Sequence, residues 1–253
     1  MVSLPVYDLQ NAVEVVRNIQ TFTNATIVLH NNALSGFTNE QLRAAVGSDV
    51  IINSERLAME CPHYNSPHSL WDITVSNIKA CAHLPWNHIV LFTSNSRFVR
   101  RGVDEYLKTC PHASGISPIP EFGFDTDMLI TDSRFPHDND LRKCRTLLDA
   151  PLYYYGNVDG AYLRRDVAKK LVSTKVTYAE SYIAPQEIIV PTICAPFGYG
   201  SILTYTDWAS NMNVTPEIVY RIRTGEFPGI FAVKRVNMDN HDLRKFICSL
   251  KNA

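Results

Sequence analysis

The sequence predicts an α/β fold with a mostly parallel central sheet flanked by helices, and three observations predict it. The run His88-Ile-Val-Leu-Phe-Thr93 is apolar almost throughout, as a strand buried on both faces is. β-rich runs alternate with helical stretches, the texture of successive strand–helix units feeding one sheet. Of 253 residues, 45% are hydrophobic, 10% aromatic and 19% charged, which is core material enough for one large domain and excludes a disordered chain.

Taken in order, Asn11–Phe22 reads as helix, Thr26–His30 as strand, Thr38–Val46 as helix and Asp49–Asn53 as strand. Ser66–His83 is helical, His88–Thr93 is the apolar strand and Phe98–Lys108 is again helical. From Pro111 to Pro136 the composition turns to Pro, Gly, Ser and Asp with little periodicity, marking a long surface excursion of the kind that often carries function. A helix is expected at His137–Leu148, after which the aromatic run Leu152–Tyr155 leads into a strand at Gly160–Leu163. Helices at Arg165–Val172 and Pro185–Cys194, a strand at Ser201–Tyr205, a helix at Thr215–Arg223, a strand at Ile230–Val233 and a helix at Asn240–Leu250 complete the chain. No repeat, low-complexity tract or linker interrupts it, so residues 1–253 read as a single domain.

Several function classes fall away on composition and motif. Lys and Arg total 24 against 25 Asp and Glu, a net charge of -1, so the positive field that non-specific nucleic-acid binding needs is missing. There is no basic segment followed by an apolar run at the N-terminus and no stretch of about 18 apolar residues, and the expectation is a soluble, cytoplasmic protein without a transmembrane segment. The six cysteines (Cys61, Cys81, Cys110, Cys144, Cys194, Cys248) form no C-x-x-C pair, which argues against structural zinc and for free thiols. The absence of G-x-G-x-x-G and Walker loops argues against dinucleotide oxidoreductases and P-loop enzymes. The lack of G-x-S-x-G removes the serine-hydrolase elbow. His63, His68, His83, His88, His112, His137 and His241 show no H-E-x-x-H spacing and read as surface or structural.

In open α/β sheets ligands gather at the carboxyl ends of the strands. That rule selects His30-Asn31-Asn32, Asn53-Ser54-Glu55, Thr93-Ser94-Asn95-Ser96, Asp159 and the polar residues after Val233.

The second half carries an ordered set of motifs. Val158-Asp159-Gly160-Ala161-Tyr162-Leu163-x-Arg165-x-Val167 is followed by Ala184-Pro185-Gln186-Glu187-Ile188-Ile189-Val190-Pro191-Thr192. Then come Leu203-Thr-Tyr-Thr-Asp207-Trp208, a helix opening at Thr215-Pro216-Glu217, and Gly229-Ile-Phe-Ala-Val-Lys234-Arg235. In this order and spacing the chain resembles the core-2/I-branching family of β-glycosyltransferases, and most of all its peptide O-xylosyltransferase branch, over roughly residues 25 to 247. The resemblance implies a GT-A type glycosyltransferase fold with a Rossmann-like sheet, residues 1–110 forming the nucleotide-sugar-binding half and residues 111–253 the acceptor and catalytic half. It implies an inverting, metal-independent transfer of a sugar, xylose for this branch, from a UDP-sugar donor to a hydroxyl of a glycan acceptor. Animal members carry a signal-anchor. Its lack here suits a standalone enzyme such as a bacterium or a large DNA virus would use.

Such a reaction needs a carboxylate to take the acceptor proton and positive charge to neutralise the departing diphosphate. Asp159, Glu187 and Asp149 are the candidate bases. Asp159 equally suits an Asp-Gly bend, and Glu187 equally suits a helix first turn or a bond to a sugar hydroxyl. Lys234 and Arg235 stand where the family has its basic pair, in the order Val-Lys-Arg rather than Arg-Lys-aromatic. Asp207 and Trp208 match a donor-side Asp-Trp, and His30 and Asn32 match a uridine-side His-x-Asp with Asn in place of the acid. Ser94 and Asn95 follow the apolar strand where the family has an Asp. A D-x-D triplet, Asp125-Thr126-Asp127, offers the alternative of a metal-dependent enzyme, although it follows no apolar strand. A non-catalytic carbohydrate- or nucleotide-binding module is the other alternative.

Overall fold

The computed structural model describes residues 1–59, 70–109, 117–118, 154–155, 158–173, 190–191, 202–206 and 214–250. In chain order the elements are β1 (Val2–Val6), α1 (Leu9–Phe22), β2 (Ile27–Asn31), α2 (Asn39–Val46), β3 (Val50–Ile52), α3 (Leu70–Ala80) and β4 (His88–Leu91). They are followed by β5 (Arg97–Phe98), α4 (Val103–Thr109), β6 (Ser117–Pro118), β7 (Tyr154–Tyr155), β8 (Tyr162–Arg164) and α5 (Arg165–Ser173). The last are β9 (Thr204–Tyr205), α6 (Pro216–Arg223), β10 (Ala232–Val233) and α7 (His241–Ser249).

The main sheet has the order β3-β2-β1-β4-β8. The first four strands are mutually parallel, and β8 runs antiparallel at the edge of β4. A second sheet, β5-β10-β9, pairs β10 antiparallel with β5 and parallel with β9. Ser117–Pro118, inside the expected surface excursion, pairs with Tyr154–Tyr155.

The core lies on both faces of the main sheet. On one face Val2, Leu4 and Val6 of β1 join Ala12, Val15, Val16 and Ile19 of α1, Leu42 of α2, and residues of α6 and α7. On the other, Val28, Ile89 and Leu91 join Trp71 and Ile78 of α3 and Val167 of α5. This is the mostly parallel α/β sheet flanked by helices that the sequence predicts. Helix starts follow local chemistry. Asp8 accepts from Asn11 N to cap α1, and Thr38 and Gln41 form a reciprocal capping box on α2. Thr215 caps α6 with Pro216 behind it in the first turn, where a missing N–H costs nothing.

Two elements differ from expectation. The central strand, β1, does not stand out in the sequence because Val-Ser-Leu-Pro-Val carries a proline and a serine in five residues, and proline argues against a central strand. Residues 1, 3 and 5 face β4 within the sheet plane: Val90 N donates to Met1 O at 2.8 Å and Phe92 N to Ser3 O at 2.9 Å. Pro5 therefore withholds its N–H at the position where the β1–β4 ladder would take its next bond, and the pairing of the two strands ends at Ser3 and Leu91. The helix expected over Phe98–Lys108 is instead a short strand, Arg97–Phe98, followed by α4. Phe98 is held as a strand from the side, by Asn18 of α1, which accepts from Phe98 N at 2.7 Å and donates to Phe98 O at 2.8 Å.

Candidate functional site

The chain order crosses over between β1 and β4: β2 and β3 lie on one side of β1, and the connection through α3 returns to place β4 on the other. The strand order thus reverses between β1 and β4, and the carboxyl ends flanking such a reversal are where open α/β sheets bind ligands. Here Pro5 ends the ladder. A small cavity opens beside it, lined by Ser3, Pro5, Ile73, Thr74, Phe92 and Asp159 among others.

Asp159 is 2% exposed. It sits with Gly160 in a turn closed by Ala161 N donating to Val158 O at 3.0 Å, and Gly160 supplies a φ of 81° there. No other residue fits at Gly160, because a Cβ would lie 2.1 Å from Thr204 Oγ1 and 2.6 Å from Thr204 N. Gly160 N also donates to Leu91 O at 2.7 Å, and its carbonyl accepts from Leu203 N at 2.9 Å. The Asp-Gly bend thereby seams the two sheets together and delivers the Asp159 carboxylate to the end of β4.

There the carboxylate meets the Thr93–Ser96 turn. Oδ1 accepts from Thr93 N at 3.1 Å, and Oδ2 accepts from Ser96 Oγ at 2.7 Å and from Thr93 Oγ1 at 2.9 Å. Thr93 has one hydroxyl hydrogen, which Asn95 Oδ1, at 2.7 Å, also receives. Lys234 Nζ, on a side chain 18% exposed, lies 3.6 Å from Asp159 Oδ2. Lys234 is brought there by β10: its backbone N donates to Tyr205 O at 3.0 Å, and two residues on Val236 N donates to Asn95 O at 2.9 Å. Between them Arg235 has a φ of 67°, the left-handed region that no other described non-glycine residue occupies. Held strain of this kind collects at functional sites.

The structure therefore brings Ser94, Asn95, Asp159, Lys234 and Arg235 together from three separate stretches of chain. His30 and Asn32 lie at the end of β2, two strands from β4, and their polar atoms engage the 57–59 segment. His30 Nε2 accepts from Leu57 N at 2.9 Å, so the ring proton is on Nδ1. Asn32 accepts from Leu34 N and Met59 N and donates to Met59 O at 2.6 Å. Asn53 and Glu55, at the end of β3, enter a polar chain in which Asn53 donates to Ser76 Oγ and Asn77 Oδ1, Ser76 donates to Glu55, and Asn77 donates to Ser3 Oγ. Glu187, Asp149, Asp207, Trp208, Asp125 and Asp127 lie outside the described residues. No cluster of three His, Cys, Asp or Glu that could hold a metal ion occurs among the described residues.

The strand-end rule selects Thr93 and Ser96, whereas Arg97 escapes both rule and motif. Thr93 and Ser96 bind Asp159, and Arg97 lies beneath the turn, 3% exposed. Arg97 Nη1 donates to Ser94 O at 2.8 Å and Ser96 O at 2.9 Å, and Nη2 donates to Asn11 Oδ1. Burial pushes the Arg97 guanidinium down to about 10, a loss that the nearby Glu14 charge partly offsets. The available signal was on α1: Asn11 and Asn18, seven apart on the helix's buried face, are polar where the periodicity calls for apolar residues.

No family model matches the sequence, and no curated protein matches it. Among solved structures the chain is similar to the galactosyltransferase LgtC in complex with donor and acceptor sugar analogues, at 11% identity and a TM-score of 0.46 over 100% of this chain and 95% of that one. An active-site mutant of LgtC gives 10% identity and a TM-score of 0.46 over the same shares. No helix among the described residues is long and apolar enough to cross a membrane.

Proposed function

We propose that the protein is a nucleotide-sugar-dependent glycosyltransferase that binds a UDP-sugar across the carboxyl ends of β1 and β4. One observation carries the reading. Lys234 is delivered by a second sheet to the point where the strand order of the first reverses, its Nζ facing Asp159, with Arg235 next in the chain; this is the place where a ligand's phosphates would sit. An ammonium and a guanidinium there can take up the charge of a departing diphosphate.

The step reads as an inverting displacement. The acceptor hydroxyl oxygen attacks the anomeric carbon, the bond from that carbon to the diphosphate oxygen breaks, the hydroxyl proton passes to a carboxylate, and UDP leaves facing Lys234 and Arg235. Asp159 is held by the Thr93–Ser96 turn and faces Lys234, so in this reading it anchors the cation. We assign the base to Glu187, with Asp149 as the remaining candidate, and assign Asp207 and Trp208 to the donor-sugar wall. His30 and Asn32 act by holding the loop that borders the uridine end. Xylose is the donor sugar and a glycan the acceptor in this reading, on the motif resemblance to the peptide O-xylosyltransferase branch.

A thermal-shift screen of UDP-sugars tests the donor, since a ligand that binds only the native state raises its midpoint. UDP-xylose is expected to give the largest shift. Donor hydrolysis persisting in EDTA is expected for the metal-independent reaction, and its complete loss would transfer the reading to Asp125 and Asp127. Binding of free glycan without UDP would replace the enzyme by a lectin-like module.

A further inference from the structure

We infer that Arg97 is a positioning residue for the anion site: it acts through the Thr93–Ser96 turn to place Lys234, without itself reaching the ligand. This rests on the diphosphate reading of Lys234 given above.

The argument starts from where the guanidinium spends its donors. One nitrogen of Arg97 bonds two carbonyls of a single turn, Ser94 O at 2.8 Å and Ser96 O at 2.9 Å, and the other bonds Asn11 Oδ1. Asn11 returns its own Nδ2 to Ser94 O at 2.8 Å. Ser94 O is thus gripped from two sides.

That grip bears on both things Lys234 depends on. With the Ser96 carbonyl held inward, Ser96 Oγ lies 2.7 Å from Asp159 Oδ2, and Asp159 in turn faces Lys234 Nζ. With Asn95 between the two held carbonyls, Asn95 O receives Val236 N at 2.9 Å, which ties down the backbone just beyond Lys234 and Arg235. A third link is direct: Arg97 is the register partner of Val233, the residue before Lys234. A lysine at position 97 would keep a charge but present a point donor on a flexible stem, not a planar fork.

No described carboxylate forms a salt bridge with Arg97. Glu14, whose charge partly offsets the effect of burial on Arg97, is engaged by Arg244. A buried cation without a carboxylate of its own is costly as a stability device, which fits a residue kept for placement.

The test is a double-mutant cycle read by UDP affinity in calorimetry on the full chain. Arg97→Lys is expected to weaken UDP about tenfold in the wild-type background and less than about twofold in Lys234→Met, because coupled residues lose their effect when the partner is gone. Asn11→Ala, a milder change to the same clamp, is expected to show a smaller loss with the same dependence on Lys234, and it decides the matter if Arg97→Lys does not fold. An equal loss in both backgrounds would overturn the proposal. Failure of the wild type to bind UDP would overturn the diphosphate reading, and this inference with it. UDP binding that is unaffected by Lys234→Met would overturn the reading of Lys234 as the diphosphate's cation and this inference with it, whereas the equal loss in both backgrounds overturns the inference alone.

Discussion

Lys234 Nζ lies 3.6 Å from Asp159 Oδ2, and the two residues adjoin different sheets, which Gly160 joins. The pair is largely buried, and breaking a buried pair leaves a charge uncompensated. Asp159→Asn is expected to cost about 2–4 kcal/mol of stability and to weaken UDP binding, because Lys234 loses its anchor. Lys234→Met strands the carboxylate in the same way. The double variant is expected to be more stable than either single one, and urea titrations of all four proteins check this.

Glu187→Gln is expected to abolish transfer while leaving UDP affinity within about threefold, the pattern of a group needed for proton removal and not for donor binding. Calorimetry beside a transfer assay separates the two effects. If Glu187→Gln transfers normally, the base is elsewhere, and Asp149→Asn is the next variant.

Gly160→Ala is expected to destabilise by at least about 3 kcal/mol, at the severe end for a single substitution. The backbone there has a φ of 81°, and the new methyl would meet not only the Thr204 side chain but its backbone N at 2.6 Å, which cannot swing aside. Removing Oγ1 by Thr204→Ala in the same chain is expected to recover little. Thermal unfolding of the single and double variants measures it.

The Glu14–Arg244 pair gives the stability an acid limb. Burial pushes the Glu14 carboxyl up, but the hydrogen bond and charge of Arg244 overcome it, so it lies below its ordinary 4.5. A carboxyl depressed in the folded state binds fewer protons there than in the unfolded chain. Its contribution is therefore complete above about pH 4.5 and is lost as pH falls through the folded value. Because Glu14 keeps solvent contact, that contribution is about 1 kcal/mol. Glu14→Gln is expected to lower stability by that amount at pH 7 and to flatten the fall between pH 5 and about 3, read by urea midpoints across that range.

Cys81 is buried and Cys248 is exposed, both as free thiols. Burial pushes the Cys81 thiol up to about 11, and the thiolate is the reactive form. Iodoacetamide at pH 8 is expected to label Cys248 and spare Cys81 until the protein is unfolded, as peptide mapping would show. Native labelling of Cys81 would mean that the α3 end of the core opens readily.

How far the sequence reads through to this structure can be judged element by element. β2, β3 and β4 are legible as apolar runs, and α1, α2, α6 and α7 as periodic stretches whose caps are local, because the forces that make them act within a few residues. Asp159, Lys234 and Arg235 could be named as candidates, the first beside the start of an expected strand and the other two just after one. What the linear pattern hid was β1, since Pro5 breaks the strand signature in a strand whose surroundings, not its own preferences, make it central. It also hid Arg97, a charged residue buried where its own turn supplies the Ser94 and Ser96 carbonyls and Asn11 arrives from α1 to bond it.

By itself, then, the amino-acid sequence determined an α/β chain with a parallel sheet, near-neutral charge, and a set of polar residues at strand ends. Only the tertiary structure decided which of those residues share a site. Ser94, Asn95, Asp159, Lys234 and Arg235 converge, whereas His30 and Asn32 bond the 57–59 segment two strands away. The physical reason is that a site is made by non-local contacts: Gly160 seams two sheets where no side chain fits, and the β5–β10 register carries Lys234 to a carboxylate 75 positions earlier in the chain. Residue spacing along the chain does not encode a distance of that kind; packing does.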